Sequence, residues 1–282
     1  MKRSALLIAA ALFVHTSVAE TGSVEGEAYE HTSASIAAGL ANSKVALPAS
    51  ATGDGVVLAD LPALPQTQGK VPVVVFLHGS SGINPNLGFD QWQQWLAEEG
   101  VASFIFDGMQ LENRITYKSP VDKAVYEKIH ALRGSEIDIA IKALQETPWA
   151  DMDRLILAGT SEGAVSVARY DGDAFAGKII YAWSCEDNYF VEHHHTSNKA
   201  VPVLNLISSN DRYYSHENTF LGNADATGNC QLTFGEERKD VQVLLIPNAP
   251  HTLINLPAAR SATLGFIESV LDQESKHSAL AQ

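Results

Sequence analysis

From Lys70 onward the chain repeats one pattern, a short run dense in Val, Ile, Leu or Phe followed by a longer stretch with apolar residues at helical spacing. The runs are Val71–Leu77, Val101–Phe106, Arg154–Ala158, Lys178–Trp183, Val201–Ile207 and Val241–Ile246. Successive strand side chains point to opposite faces, so a run apolar at nearly every position must be buried on both. Strands of that kind alternating with helices predict an α/β fold, with a mostly parallel central sheet covered on both faces. Helices are expected over Phe89–Glu99, ended by Gly100, and over Val121–Gln145, Ala164–Tyr170 and about Ala258–Leu271. No internal repeat or low-complexity linker divides the stretch, so residues 70–282 read as one domain.

Ahead of it, residues 20–69 are rich in Ala, Ser, Thr and Gly and carry no recognisable chemistry. Gly53-Asp54-Gly55 between Lys44–Leu47 and Val56–Leu58 predicts a hairpin there. At the very start, Met1-Lys2-Arg3, an apolar run from Ala5 to Val14 and the small residues Ser17-Val18-Ala19 have the form of a signal peptide over residues 1–19. The apolar run is shorter than the roughly 20 residues that span a bilayer, so stable membrane insertion is not expected. The chain reads as secreted or periplasmic.

The 282 residues carry a formal charge of −14, and loss of Lys2 and Arg3 leaves −16. Nucleic acids and anionic membrane surfaces need clustered Lys and Arg, so neither is an expected partner. Cys185 and Cys230 are the two cysteines, and in an exported chain they are expected to be bonded to each other.

The chemistry sits at Gly159-Thr160-Ser161-Glu162-Gly163, which follows the run Arg154–Ala158 directly and opens a helical stretch. In that context G-x-S-x-G makes a strained strand-to-helix turn that pushes the serine hydroxyl into the open, and the flanking glycines avoid the neighbouring strand and helix. Ser161 is therefore the candidate nucleophile. A serine hydroxyl needs a base to take its proton and a third group to orient that base. Asp211 follows Val201–Ile207 through Ser208-Ser209-Asn210, and His251 follows Val241–Ile246 through Pro247-Asn248-Ala249-Pro250, giving the chain order serine, acid, histidine. Asp187, after the preceding strand, is the rival acid. The run His193-His194-His195 reads as a solvated loop, because consecutive residues converge poorly on one ion.

Acyl transfer also needs donors aimed at the oxygen that becomes negative. His78-Gly79-Ser80-Ser81-Gly82 follows Val71–Leu77, where one such donor belongs, with the Ser80 N–H first choice and Ser81 second; the N–H of Glu162 is the other.

On His78–Gly82, Gly159–Gly163, Asp211 and His251, the chain resembles the dienelactone hydrolase-like branch of the α/β hydrolases and its lipase and esterase relatives, over about residues 70–272. The resemblance implies ester hydrolysis through an acyl-enzyme, on small-molecule or polymeric esters, with no cofactor and no metal. Dienelactone hydrolases proper use a cysteine nucleophile and are intracellular, whereas this chain has Ser161 and a signal peptide. Two other readings stay open: a serine peptidase of the same fold, and a hydrolase-fold binding protein whose triad is inert.

Overall fold

A computed structural model describes residues 22–191, 201–235 and 237–280, with side chains described only to residue 272. The segment 1–19, read from the sequence as a signal peptide, and the histidine run at 193–195 lie outside the described residues. The strands are β1 (Ser23–Glu25), β2 (Lys44–Leu47), β3 (Val57–Asp60), β4 (Val71–Leu77), β5 (Ala102–Ile105), β6 (Thr116–Lys118), β7 (Ala150–Thr160), β8 (Gly177–Tyr181), β9 (Val203–Ser208) and β10 (Val241–Ile246). The α-helices are α1 (Ser33–Ala41), α2 (Ala49–Thr52), α3 (Phe89–Glu98), α4 (Lys123–Gln145), α5 (Glu162–Arg169), α6 (Cys230–Phe234) and α7 (Pro257–Leu280).

Eight strands form one sheet in the order β10-β9-β8-β7-β4-β5-β2-β3, and β1 and β6 pair separately. From β10 to β5 every pairing is parallel; β2 and β3 add an antiparallel edge. All six apolar runs read from the sequence are strands of this parallel region. The hairpin around Gly53-Asp54-Gly55 also forms, with Lys44 opposite Asp60 and Leu47 opposite Val57, and its first strand hydrogen-bonds to β5.

Alternation along β4 shows why both faces are covered. Val73, Val75 and Leu77 pack with α4 and α5, while Val74 and Phe76 pack with α3 and α7. On the second face, Phe76 lies 4.8 Å from the Trp92 ring of α3 and 5.9 Å from the Tyr181 ring of β8. Parallel strands impose a functional consequence: the loops leaving β4, β7, β9 and β10 all emerge at the same edge of the sheet. Those loops carry Ser80, Ser161, Asp211 and His251.

No helix among the described residues is long and apolar enough to cross a membrane. Cys185, just past β8, is disulfide-bonded to Cys230 at the start of α6, with Cα atoms 4.9 Å apart. The Glu186 carboxylate reinforces the same link, accepting from the Thr227 N–H at 2.6 Å and the Gly228 N–H at 3.0 Å.

Candidate active site

Ser161 occupies the turn between β7 and α5 with φ 54° and ψ −119°, a conformation that costs a non-glycine residue on the order of 1–3 kcal/mol. Its surroundings enforce it. The Ser161 N–H donates to the Tyr181 carbonyl of β8 at 3.0 Å, and the Ser161 carbonyl accepts from the Ala164 N–H at 3.0 Å, closing the first turn of α5. A Cβ on Gly163 would lie 2.4 Å from the Leu77 carbonyl oxygen, and one on Gly159 would lie 2.8 Å from Val167. Both flanking positions therefore exclude any side chain, as the G-x-S-x-G pattern requires.

Asp211 and His251 meet across their two loops. His251 Nδ1 stands 2.6 Å from Asp211 Oδ2, and the other carboxylate oxygen accepts from the N–H groups of Tyr213 at 2.9 Å and Tyr214 at 3.2 Å. Asp211 thus organises its own turn and pairs with the histidine at once. The Ser208 hydroxyl fastens the loops together by donating to the Ala249 carbonyl at 2.8 Å, and the Ser209 N–H donates to the Ile246 carbonyl at 3.0 Å. The rival acid, Asp187, is exposed and offers its backbone carbonyl to Asn223.

Ser161 and His251 line one cavity of about 380 Å³ together with Ser80, Ser81 and Gly79. Aromatic rings make up much of the remaining lining, with Tyr117, Tyr189, Phe190, Tyr213, Tyr214 and Phe220 beside the polar Lys118, Ser119, Arg212 and Thr252. The Tyr213 ring stands 4.6 Å from the His251 ring, and Tyr189 and Tyr214 stack at 6.4 Å. Burial pushes the Tyr214 phenol well above its ordinary pKa, opposed by a hydrogen bond with Ser161, so a neutral hydroxyl faces the serine. Tyr117 reaches the cavity from β6, a short strand that no sequence pattern marked.

The structure also reveals what no motif announced. Behind the turn lie four buried charges: Arg114 and Arg133, Glu136 and Glu162. Arg114 Nη2 is 3.2 Å from Glu162 Oε1, and Arg133 Nη1 is 2.7 Å from Glu136 Oε2. His78 beside them is held well below its usual pKa, first by burial and then by the Arg133 charge, so it is neutral. Sequence did contain a signal. On α4, Arg133 and Glu136 share the stripe of Tyr126, Ile129, Ile137, Ala140 and Leu144, all of which are buried.

No protein-family model matches the sequence, and no curated protein matches it. Solved structures do match. A dienelactone hydrolase-like promiscuous phosphotriesterase from metagenomic libraries aligns at TM-score 0.51 and 17% identity, covering 81% of this chain and 96% of that one. A Klebsiella pneumoniae subsp. pneumoniae protein bearing a dienelactone hydrolase name aligns at TM-score 0.50 and 12% identity, covering 80% and 98%. This chain has the α/β-hydrolase fold. Porphyromonas gingivalis dipeptidyl peptidase 4 shares that fold, with TM-score 0.51 and 15% identity over 80% of this chain but 35% of its own. At such identities the α/β-hydrolase likeness fixes the scaffold, and the chemistry has to be argued from the residues.

Proposed function

We propose that this protein is an exported serine hydrolase that cleaves carboxylic esters through an acyl-enzyme, with Ser161 as nucleophile, His251 as base and Asp211 as the orienting acid. The observation that carries the reading is the 2.6 Å contact between His251 and Asp211 on the wall of the cavity that Ser161 lines.

The chemistry follows from these positions. Asp211, buried, holds Nδ1 of His251 and leaves Nε2 free to take the Ser161 proton as the hydroxyl oxygen attacks the ester carbonyl. The carbonyl oxygen becomes an oxyanion, received by the N–H groups of Ser80 and Glu162. Glu162 opens α5, so no preceding helical turn supplies an acceptor for its N–H, and the positive end of the helix adds to the field. The protonated His251 then gives its proton to the departing alcohol. Water, deprotonated by the same histidine, attacks the acyl-enzyme and releases the acid.

The aromatic wall favours an ester with a flat aromatic acyl or alcohol group, which stacks on such rings and excludes water from the reacting carbonyl. Export is supported by the signal-peptide pattern at 1–19 and by the Cys185–Cys230 bond, which belongs to an oxidising compartment.

The test is turnover of a panel of p-nitrophenyl and aromatic esters, with a dipeptide amide as control, by the wild type and Ser161→Ala. Loss of ester turnover and of fluorophosphonate labelling in the variant is expected. Undiminished turnover in Ser161→Ala would refute the assignment, and amide cleavage at ester-like rates would favour a peptidase.

A further inference from the structure

The buried charges behind the serine turn lie beneath both of the backbone N–H groups assigned to the oxyanion, and one side chain touches both halves. We propose that Arg133 is a positioning residue, a single guanidinium that sets the aim of the Ser80 N–H on one side and anchors the Glu162 end of α5 on the other. The inference rests on the reading of Ser161 as nucleophile.

The first half is a chain of hydrogen bonds ending at the Ser80 peptide. Arg133 Nη2 donates to the His78 carbonyl at 2.7 Å, and Nη1 stands 3.2 Å from His78 Nε2. A guanidinium has no acceptor, so Nε2 must accept and the imidazole proton must sit on Nδ1. That proton goes to the Gly79 carbonyl at 2.7 Å, which also accepts from the Gly82 N–H at 3.1 Å. In a trans peptide the C=O and the following N–H point in opposite directions. Two donors holding the Gly79 carbonyl on the His78 side therefore turn the Ser80 N–H the other way, toward the cavity that Ser80 and Ser161 share. Protonated, His78 loses the bond from Arg133; in the other tautomer it loses both.

The second half is the carboxylate of Glu162, whose own N–H is the other donor. It lies 3.5 Å from Arg133 Nε and 3.2 Å from Arg114 Nη2. Backbone spacing between the two halves is equally tight, since a Cβ on Gly163 would stand 2.6 Å from the His78 carbonyl oxygen that Arg133 binds. Fully buried ion clusters are a poor route to stability alone, because desolvation cancels much of the attraction. What this one supplies is geometry: a planar fork with fixed donor directions, which a lysine cannot reproduce.

Arg133→Lys keeps the charge and removes the fork. We measure kcat, KM and the affinities for a boronic acid, which forms a tetrahedral adduct on the serine, and for the product acid, each per active site titrated with a fluorophosphonate. The expected result is kcat lower by about tenfold or more with KM changed less than about threefold, and boronate affinity falling with kcat while product-acid affinity holds. A purely structural arginine would give fewer titratable sites and a lower Tm but unchanged kcat per site, and that result overturns the proposal. If Arg133→Lys does not fold, His78→Ala is measured in the same way; it has no side-chain donor for the Gly79 carbonyl and leaves the His78 carbonyl in place, and the same outcomes decide. Wild-type enzyme that turns over ester unchanged as Ser161→Ala sinks the underlying reading instead, independently of either variant.

Discussion

His251 reaches Asp211, 40 positions earlier in the chain, through a 2.6 Å contact between Nδ1 and Oδ2, and Asp211 is buried while His251 keeps an open side toward the cavity. The orientation follows from that asymmetry. Replacing Asp211 by Asn should leave the turn intact, because an amide oxygen still accepts from Tyr213 and Tyr214, yet lower kcat by about 10²–10⁴-fold through loss of the correct tautomer and of imidazolium stabilisation. Asp187→Asn should stay within about twofold of wild type, because Asp187 is exposed and the carboxylate on His251 Nδ1 is that of Asp211. Steady-state kinetics on one ester compares the two, and a larger loss in Asp187→Asn reverses the roles.

The glycine after the nucleophile turn makes a sharper structural prediction. Gly163→Ala places a methyl 2.4 Å from the Leu77 carbonyl oxygen and 2.6 Å from that of His78, both backbone atoms of the central strand and the loop it feeds. Overpacking of this kind costs about 1–3 kcal/mol or more, and because the backbone must shift, activity should fall with stability. Chemical denaturation and ester turnover of the variant check both.

Acid stability should depend on His130. Its ring is buried on α4 and accepts no charge easily: burial lowers its pKa from 6.5 to about 4, partly offset by the hydrogen bond to the Phe190 carbonyl at 2.9 Å. The folded state thus binds this proton more weakly than the unfolded state, which takes it up near pH 6.5. Between pH 6.5 and about 4 the unfolded chain holds more protons, so stability rises with pH through that window and is lost as pH falls through it. The shift corresponds to roughly 3 kcal/mol. Denaturation curves at a series of pH values should show a shallower acid decline in His130→Gln, and equal slopes in the two proteins would remove His130 from the account.

The Cys185–Cys230 bond closes a loop with a sequence separation of 45. Loop-closure entropy puts its contribution at about 4 kcal/mol, so the double Ser variant should lose stability on that order in denaturant. Glu186, bonded to Thr227 and Gly228, keeps the same segments together, so ester turnover of the folded double variant should survive at mild temperature. Urea midpoints and initial rates, measured side by side, separate the two effects.

Sequence alone determined the parallel sheet and the chain order of the site. Val71–Leu77 and Val241–Ile246 are strands with the boundaries read from the sequence, but only the first is buried at almost every position; β10 lies at the edge of the sheet with Leu245 exposed, which its apolar pattern did not show. Ends were less legible where local pattern yields to neighbours: β7 begins four residues before Arg154, because Ala150 pairs with Val71 past an irregularity in the ladder. Ser161, Asp211 and His251 were readable because each stands a few residues beyond a strand, and parallel strands deliver such loops to one edge.

What only the tertiary structure decided was which acid meets the histidine and what lies under the serine. Asp211 and Asp187 follow neighbouring strands in similar polar loops, and one-dimensional spacing cannot separate them. The choice came from β9 lying beside β10, which lets Ser208 and Ser209 bind the two loops together. The contacts of Arg133 were hidden for the same reason. The buried stripe of α4 marks Arg133 and Glu136, but His78 and Glu162 come from the β4 loop and α5, and residues 55 positions apart carry no local sign that folding will bring them together.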